Sequence, residues 1–439
     1  MEWYWALALI FGGFFFLFAL GMPVAFCFIL VSVIGSFWLG GEMGLRQIAY
    51  NIFTSITTFS FVPVPMFLLM GEIMFQSGIA PNMLDAVDKC MGRMPGRLAL
   101  VAIAGGTALS FLTGVTVASI AILGRNLVPE MQRRGYSKSM SIGPILGSGP
   151  LAMFIPPSAQ AILLGVIGAI SIGALLIALV IPGLVIAAIM GAYVIIRCWL
   201  QPNQAPSYDV TGVTLRIKLM AVVRYILPLI LVIFMVLGVI LLGITTPSEG
   251  AATGVLGVIL LAAIYGKLNW KVMKASFFSA TESSIFILMI ILAATSYSQM
   301  LAFSGASGGL VEWVLSLPVS PWIVLINIQI LLLILGCFMP PSAIMLITLP
   351  LLMPVAIKLG FNPVWFGVIY LLNMEIGQIT PPYGVGLFMM KQVAPPGTTM
   401  GDIIRAAVPF IICDLITMVI LMAFPQISLW LPSMMRMGG

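Results

Sequence analysis

Residues 172–200 read IGALLIALVIPGLVIAAIMGAYVIIRCWL, a run of 29 residues with one charged side chain, Arg197. A helix rises about 1.5 Å per residue, so roughly 20 apolar residues cross the hydrocarbon core of a bilayer. Backbone amides in lipid must be paired internally, and this run far exceeds the roughly 10-residue alternating strands of a membrane barrel. The run therefore predicts a transmembrane helix.

Similar runs recur along almost the whole chain, which predicts an all-α integral membrane protein. Of the 439 residues, 61% are hydrophobic and 7% are charged, whereas soluble domains carry about 25% charged residues. The formal charge of +6 comes from Lys and Arg scattered over the loops. Positive loops held at the cytoplasmic face explain this excess, and no nucleic-acid partner is expected.

The His and Cys content limits the kinds of functional site that the chain can form. The chain has no His, and its five Cys residues stand singly without a CxxC pair. The commonest acid–base residue and metal ligand is therefore missing, and neither a zinc site nor a disulfide framework is indicated. Both observations weigh against a membrane enzyme.

The order of apolar runs and breaks predicts two structural repeats. At one constant offset along the chain, Pro129, Gly135, Pro156 and Pro157 fall on Pro354, Gly360, Pro381 and Pro382. Each repeat is expected to hold a re-entrant helical hairpin and broken transmembrane helices. The expected boundaries are scaffold helices in 1–43, repeat 1 in 44–200 (hairpin about 45–80, broken helix about 98–123), a linker in 201–218, and repeat 2 in 219–439 (hairpin about 270–304, broken helix about 322–357).

The breaks mark candidate cation sites. Unwinding a helix in lipid costs several kcal/mol for each unpaired backbone group unless something binds it. Glycines, hydroxyls and carbonyls freed by proline supply the oxygen ligands that hard cations such as sodium prefer. The alternative is that small residues only allow close helix packing. The candidate ligands are Ser60, Val62, Thr113, Gly114, Thr116, Ser283, Ser284, Gly336 and Met339.

Interrupted helices at matching positions of two repeats are where secondary transporters bind their substrates. The breaks at Pro156-Pro157 and Thr380-Pro381 are the candidate substrate site. Glu375 lies a little more than one helical turn before Thr380 inside an apolar run, where an ionised side chain is costly and usually functional. A protonated, silent carboxyl is the alternative for Glu375.

Several motifs resemble the large membrane subunit of tripartite ATP-independent periplasmic transporters. Their common order from residue 65 to residue 384 makes the resemblance specific. The motifs are PMFLLMGE (65–72), GRMPGRLA (92–99), IPPS (155–158), TPSE (246–249) and NMEIGQITPPYG (373–384).

The resemblance implies an elevator-type secondary transporter in the bacterial inner membrane, surrounded by lipid and driven by at least two sodium ions. It would import a small organic acid delivered by a periplasmic substrate-binding protein, and it would pair with a small four-helix membrane subunit. We expect that subunit to be a separate chain. The implied sodium sites are Ser60, Thr113 and Gly114 for the first, and Ser283, Ser284, Gly336 and Met339 for the second.

The chain departs from the family pattern at two breaks. Thr113-Gly114-Val115-Thr116 stands where the family often has Gly-Ser-Ser, and Met339-Pro340 stands where an acidic residue often precedes proline. Two other function classes stay open. A stand-alone ion or proton antiporter would use Glu72 and Glu375 as a relay, and a membrane-embedded hydrolase or transferase would need a nucleophile–base pair that the sequence does not offer.

Overall fold

The computed structural model describes residues 2–58, 61–91, 94, 96–114, 116–156, 158–206 and 214–435, without the side chains of residues 56, 80, 111–113 and 215. These residues are helical and form no strand. The predicted all-α class is therefore confirmed for the described part of the chain.

The first half of the chain is a series of helices with breaks at the expected prolines and glycines. A 3-10 turn at Pro150–Met153 separates α7 from α8, and another follows α9 at Pro202–Gln204. The helices are α1 (Trp3–Ala19), α2 (Val24–Ile56), α3 (Pro63–Gln76), α4 (Ala80–Cys90), α5 (Arg97–Thr113), α6 (Thr116–Arg133), α7 (Lys138–Ser148), α8 (Ala159–Ile167) and α9 (Ile172–Leu200).

The second half continues in the same style. Two π-helical turns, Val222–Ile226 and Phe234–Gly238, interrupt its first span. The helices are α10 (Leu215–Ala221), α11 (Leu227–Ile233), α12 (Val239–Leu241), α13 (Pro247–Ile264), α14 (Trp270–Phe303), α15 (Ala306–Ser316), α16 (Pro321–Gly336), α17 (Pro341–Lys358), α18 (Pro363–Ile379), α19 (Val385–Val393), α20 (Met400–Ala423) and α21 (Gln426–Ser433).

Seven segments of the described chain are long and apolar enough to cross a membrane, or eight if the bent pair α3 and α4 counts as one span. The multi-pass prediction is therefore confirmed. The seven are Val24–Ser55, Ile172–Leu200, Arg216–Leu241, Pro247–Ile264, Trp270–Phe303, Pro341–Lys358 and Met400–Ala423.

The segment at 270–304, predicted as a hairpin, is instead the single helix α14 of 34 residues. Its polar centre does not break it, because the chain has no glycine or proline between Lys271 and Ser304. Ser284 is accommodated in the helix, since its hydroxyl donates to the carbonyl of Ala280 at 2.6 Å, an ordinary bond for serine within a helix. The hairpin prediction for this segment is wrong.

The segment predicted as the first hairpin, 45–80, breaks between α2 and α3 as expected. Its first arm runs antiparallel to α14, because Asn51 is hydrogen-bonded to Gln299 and Ser55 lies 3.3 Å from Thr295. A reversal after Ser55 would make α3 parallel to α14.

α3 does not reverse in this way. It runs parallel to α13. The first residues of the two helices, Pro63 and Pro247, line one cavity. Seven residues further along both helices, a Cβ added at Gly254 would lie 2.6 Å from Sδ of Met70. A short turn joins α13 to α14, and Thr295, near the end of α14, lines the cavity at which α13 begins. α13 and α14 are therefore antiparallel. Since α3 is parallel to α13, it is antiparallel to α14 and continues in the direction of the preceding arm. The hairpin prediction for 45–80 is wrong.

A true helical hairpin lies at α5 and α6, which the sequence predicted only as a broken helix. The chain reverses after Gly114, a glycine in the left-handed region with φ 57°. A Cβ added at Gly106 would lie 3.3 Å from Leu123, although one continuous helix would separate these two positions by about 25 Å. The two arms are therefore antiparallel.

The second hairpin is formed by α16 and α17. α16 runs parallel to α18, since Asn373 donates to the backbone of Gln329 at 2.8 Å and Gly336 packs against Gly377. α17 turns back into α18 at 359–362, and a hydroxyl pair 2.7 Å apart bridges these two antiparallel helices. α16 and α17 are consequently antiparallel to each other.

The two hairpins open toward opposite ends of the molecule. Lys138, at the start of α7, bonds Asp402 at 2.9 Å and the carbonyl of Gly397 at 3.1 Å, which places the starts of α5, α7 and α20 at one end. α18 is antiparallel to α20, because Trp365 donates to the carbonyl of Leu421 at 2.9 Å. The start of α18, and with it the open end of the α16–α17 hairpin, therefore lies at the other end.

α18 is the central helix of the molecule. Every residue from Trp365 to Ile379 is buried, including the polar side chains of Asn373, Glu375 and Gln378. Burying polar groups is costly unless they have partners. The contacts of this helix therefore define the site.

Candidate functional site

The tips of both hairpins and a break in a third element meet on α18. The side-chain amide of Gln378 donates to the hydroxyl of Thr116 at 3.1 Å and to the sulfur of Met153, also at 3.1 Å. Thr116 is the first residue of α6 at the first hairpin tip, and Met153 ends the 3-10 turn after α7. At the second tip, a Cβ on Gly336 would lie 3.1 Å from the Cα of Gly377.

The first tip combines a left-handed glycine with a buried hydroxyl. Gly114 caps α5 in the left-handed conformation, and its amide donates to the carbonyl of Ser110 at 2.9 Å. Thr116 is 4% exposed. The side chain of Thr113 and the whole of Val115 lie outside the described residues. The tip thus presents helix-terminal carbonyls and one threonine oxygen to the protein interior.

The second tip is built by prolines. Pro340 and Pro341 have no amide hydrogen, so α16 cannot continue through them, and Pro341 starts α17 in the favoured first position. Met339 is buried, and the carbonyl of Cys337 accepts a hydrogen bond from the amide of Tyr383 at 3.0 Å. This tip therefore touches the break between α18 and α19.

The breaks predicted for substrate flank these tips. Thr380 ends α18 with its hydroxyl donating to the carbonyl of Ile376 at 2.7 Å, and Pro381 follows it. In the first half Pro156 is buried, Pro157 lies outside the described residues, and Ser158 caps α8. Both breaks lead into short helices whose first amides are free of partners within the helix.

Some predicted residues lie away from this meeting point. Ser60 lies outside the described residues, and Val62 precedes α3 beside the cavity lined by Pro63 and Pro247. Ser283 and Ser284 lie inside α14, where the expected hairpin tip is absent. Their predicted role rested on that tip, and we leave them out of the site proposed below.

Glu72 and Glu375, the two acids of the alternative relay, have different surroundings. Glu72 lies on α3 and accepts a bond from Gln76 of the same helix at 3.4 Å. Glu375 is fully buried on α18, which packs against α20, where Asp414 is also fully buried. A second buried acid thus lies on a helix packed against that of Glu375.

Two contact residues, Gln378 and Met153, were missed by the sequence reasoning. Their signal was available, because their separation of 225 residues is the same offset that aligns the two halves. Residues at matching positions of such halves meet where the halves face each other. A glutamine just before Thr380 in an otherwise apolar helix was the second available clue.

The chain matches known membrane proteins over nearly its whole length. The family model described as "Tripartite ATP-independent periplasmic transporter, DctM component" matches residues 11–427. The C4-dicarboxylate TRAP transporter large permease protein DctM of Pseudomonas aeruginosa is 32% identical over 395 residues, which cover 90% of this chain and 91% of that protein.

Two further relatives are named for other substrates. The ectoine TRAP transporter large permease protein TeaC of Halomonas elongata is 29% identical over 94% of this chain and 95% of its own. The sialic acid TRAP transporter large permease protein SiaM of Vibrio cholerae is 28% identical over 97% of this chain and 98% of its own.

Two solved structures share the fold. The YdaH transporter of Alcanivorax borkumensis superposes with a TM-score of 0.63 at 16% identity, covering 91% of each chain. MtrF of Neisseria gonorrhoeae, described as one of a class of antimetabolite efflux pumps, gives a TM-score of 0.66 at 15% identity, covering 89% of this chain and 85% of its own.

Proposed function

The chain belongs to the DctM component family of tripartite ATP-independent periplasmic transporters, and from that membership we propose that it imports a small organic acid with sodium. As a large permease subunit it is a transporter component and not an enzyme. Its relatives are named for C4-dicarboxylate, ectoine and sialic acid, which supports an organic acid as the substrate class.

The sodium sites are proposed at the two hairpin tips. Gly114 and Thr116, with the backbone of Thr113, would hold the first ion, while Gly336 and Met339 would hold the second through carbonyl oxygens. The observation that carries this proposal is the convergence of both tips on α18. The last carbonyls of α5 and α16 have no partner within their own helices. Oxygen ligands of this kind suit a hard cation.

The substrate is proposed to bind between the breaks at Pro156 and at Thr380-Pro381. Ser158 caps α8 just after the first break, and α19 begins just after the second. Helix N-termini carry partial positive charge and free amides, which favour a carboxylate. A periplasmic binding protein would deliver this substrate, and a small membrane subunit would complete the transporter.

Matching element boundaries support two repeats that are inverted in the membrane. α6 and α17 each have 18 residues. α17 starts and ends at the positions that match the start and end of α6, at the same offset that aligns the prolines of the two halves. The start of α18 matches the start of α7 at this offset as well. The two hairpins open to opposite ends. We propose that α5–α9 and α16–α20 form the moving unit of an elevator-type transporter, and that α2, α3, α13 and α14 belong to its scaffold.

The basic end of the molecule is proposed to face the cytoplasm. Arg97, Arg133, Arg134 and Lys138 lie where α5 and α7 begin and α6 ends, and Arg197 lies near the end of α9. Loops rich in Lys and Arg stay on the cytoplasmic side. The first hairpin would then open to the cytoplasm and the second to the periplasm.

Reconstituted vesicles test this function. The chain is assembled with a small membrane subunit and a periplasmic binding protein, and uptake of the solute that the binding protein retains is followed. We expect uptake only with an inward sodium gradient and only with the binding protein outside. Equal uptake in choline medium, or without the binding protein, contradicts the proposal.

A further inference from the structure

Two acidic side chains are fully buried on packed helices of the core. Glu375 on α18 and Asp414 on α20 are both 0% exposed. None of their carboxyl oxygens has a hydrogen-bond partner among the described residues. Buried polar atoms are nearly always paired, so these carboxyl groups call for a ligand from outside the described residues.

The packing of α18 on α20 fixes their proximity. Trp365 and Leu421 are joined by a hydrogen bond across the antiparallel helices. Measured along the helix axes from this bond, Glu375 lies about 15 Å further along α18 and Asp414 lies about 10 Å back along α20. Their positions along the axes therefore differ by about one helical turn.

No cation compensates the pair from the described parts of the neighbouring helices. Lys138 bonds Asp402, and Lys391 bonds the carbonyl of Thr398. Arg405 lies about 13 Å before Asp414 along α20. The other titratable groups on the packed helices are Lys358 at the end of α17, Tyr193, Arg197 and Cys198 on α9, Tyr370 on α18, and Cys413 beside Asp414.

Two ionised carboxylates cannot share this place. An unpaired charge in a low-dielectric interior costs many kcal/mol, and two like charges repel there as well. Binding one proton neutralises one acid, which removes the cost of burying its charge and the repulsion between the two acids. A proton is also a ligand that needs no additional room.

The pair belongs to one half of the molecule only. The positions that match these two acids in the first half are Pro150 and Ile189, neither of which titrates. The acids are therefore not required by the helical framework that the two halves have in common. Ionisable residues inside membranes commonly mark proton or ion pathways.

We propose that Glu375 and Asp414 form a proton-binding pair in the transport core, taking up one proton from water to convert one carboxylate into a carboxylic acid. This goes beyond the sodium-coupled import proposed above. Loss of the proton would place two negative charges between α18 and α20. Uptake should therefore fall as pH rises through the release of this proton.

Infrared spectroscopy of the reconstituted protein tests the pair without transport. The wild type should show a protonated carboxyl stretch that shifts in D₂O and persists at neutral pH. The double variant Glu375→Gln/Asp414→Asn should remove it, whereas the matched control Glu72→Gln should retain it. A band that survives both substitutions overturns the proposal, as does the absence of any such band in the wild type.

Uptake in vesicles gives a second, independent readout. Glu375→Gln cannot carry two negative charges in the pair, so its uptake should lose the decline at high pH that the wild type shows. The sodium concentration for half-maximal uptake should stay within twofold of the wild type. A large rise in that concentration, with the infrared band retained, would identify a metal-cation site instead and overturn the proposal.

Discussion

Replacing Gly377 by alanine tests the contact between α18 and the second hairpin tip. An added Cβ would lie 2.9 Å from the Cα of Gly336 and 3.2 Å from its carbonyl oxygen. Both are backbone atoms, so no side-chain rotation relieves the clash. Overpacking of this kind costs about 1–3 kcal/mol, which corresponds to roughly a 5- to 150-fold change in an equilibrium constant.

The clash should destabilise the arrangement in which the second tip packs on α18, because moving Gly336 away from α18 is the simplest way to remove it. We expect Gly377→Ala to raise the sodium concentration for half-maximal uptake at least fivefold while the protein still inserts and elutes as the wild type. Gly191→Ala is the matched control, since a Cβ at this helical glycine of α9 meets nothing within 4 Å. Wild-type sodium dependence of Gly377→Ala would refute the reasoning.

Gln378→Leu should weaken uptake and lower stability by about 1–3 kcal/mol, because it leaves the buried Thr116 hydroxyl without its partner; an unchanged melting temperature and uptake would contradict this. Arg97→Met should destabilise by about 1.5–3 kcal/mol, since it removes the charged hydrogen-bond partner of the partly exposed Asp88; thermal unfolding in detergent measures the loss. Lys138→Ala breaks a partly exposed pair and should cost about 1 kcal/mol or less by the same assay. A loss as large as that of Arg97→Met would contradict the comparison.

The positions where helices end followed from local chemistry. Gly114 tolerates the left-handed conformation at the first tip, and Pro340 and Pro341 remove the amides that α16 would need to continue. Apolar length alone predicted the spans. These features depend on a few adjacent residues, so the sequence displays them directly.

The direction of the chain after each break did not follow from local chemistry. A broken helix was predicted at about 98–123, yet α5 and α6 are antiparallel arms of a hairpin, in which Gly106 packs against Leu123. A reversal was predicted between α2 and α3, yet α3 continues in the direction of the end of α2. A break ends backbone pairing in both cases, and only packing against distant helices decides where the next helix goes.

Pairings between distant residues were equally hidden. Glu375 was singled out as an acid in an apolar run, but its neighbour Asp414 lies on a different helix, beyond two intervening turns of the chain. The prediction of a polar tip at Ser283 and Ser284 failed for the opposite reason. Serine side chains satisfy themselves on the preceding turn, so polarity without glycine or proline does not end a helix.

The most direct test of the account is a pair of density maps of the transporter, one in sodium and one in choline. The account predicts two density peaks in sodium alone, each about 2.4 Å from oxygen atoms, one beside Gly114 and Thr116 and the other beside Gly336 and Met339. Identical maps in the two salts, with no peak at either tip, would contradict the claim that the hairpin tips bind the driving ions.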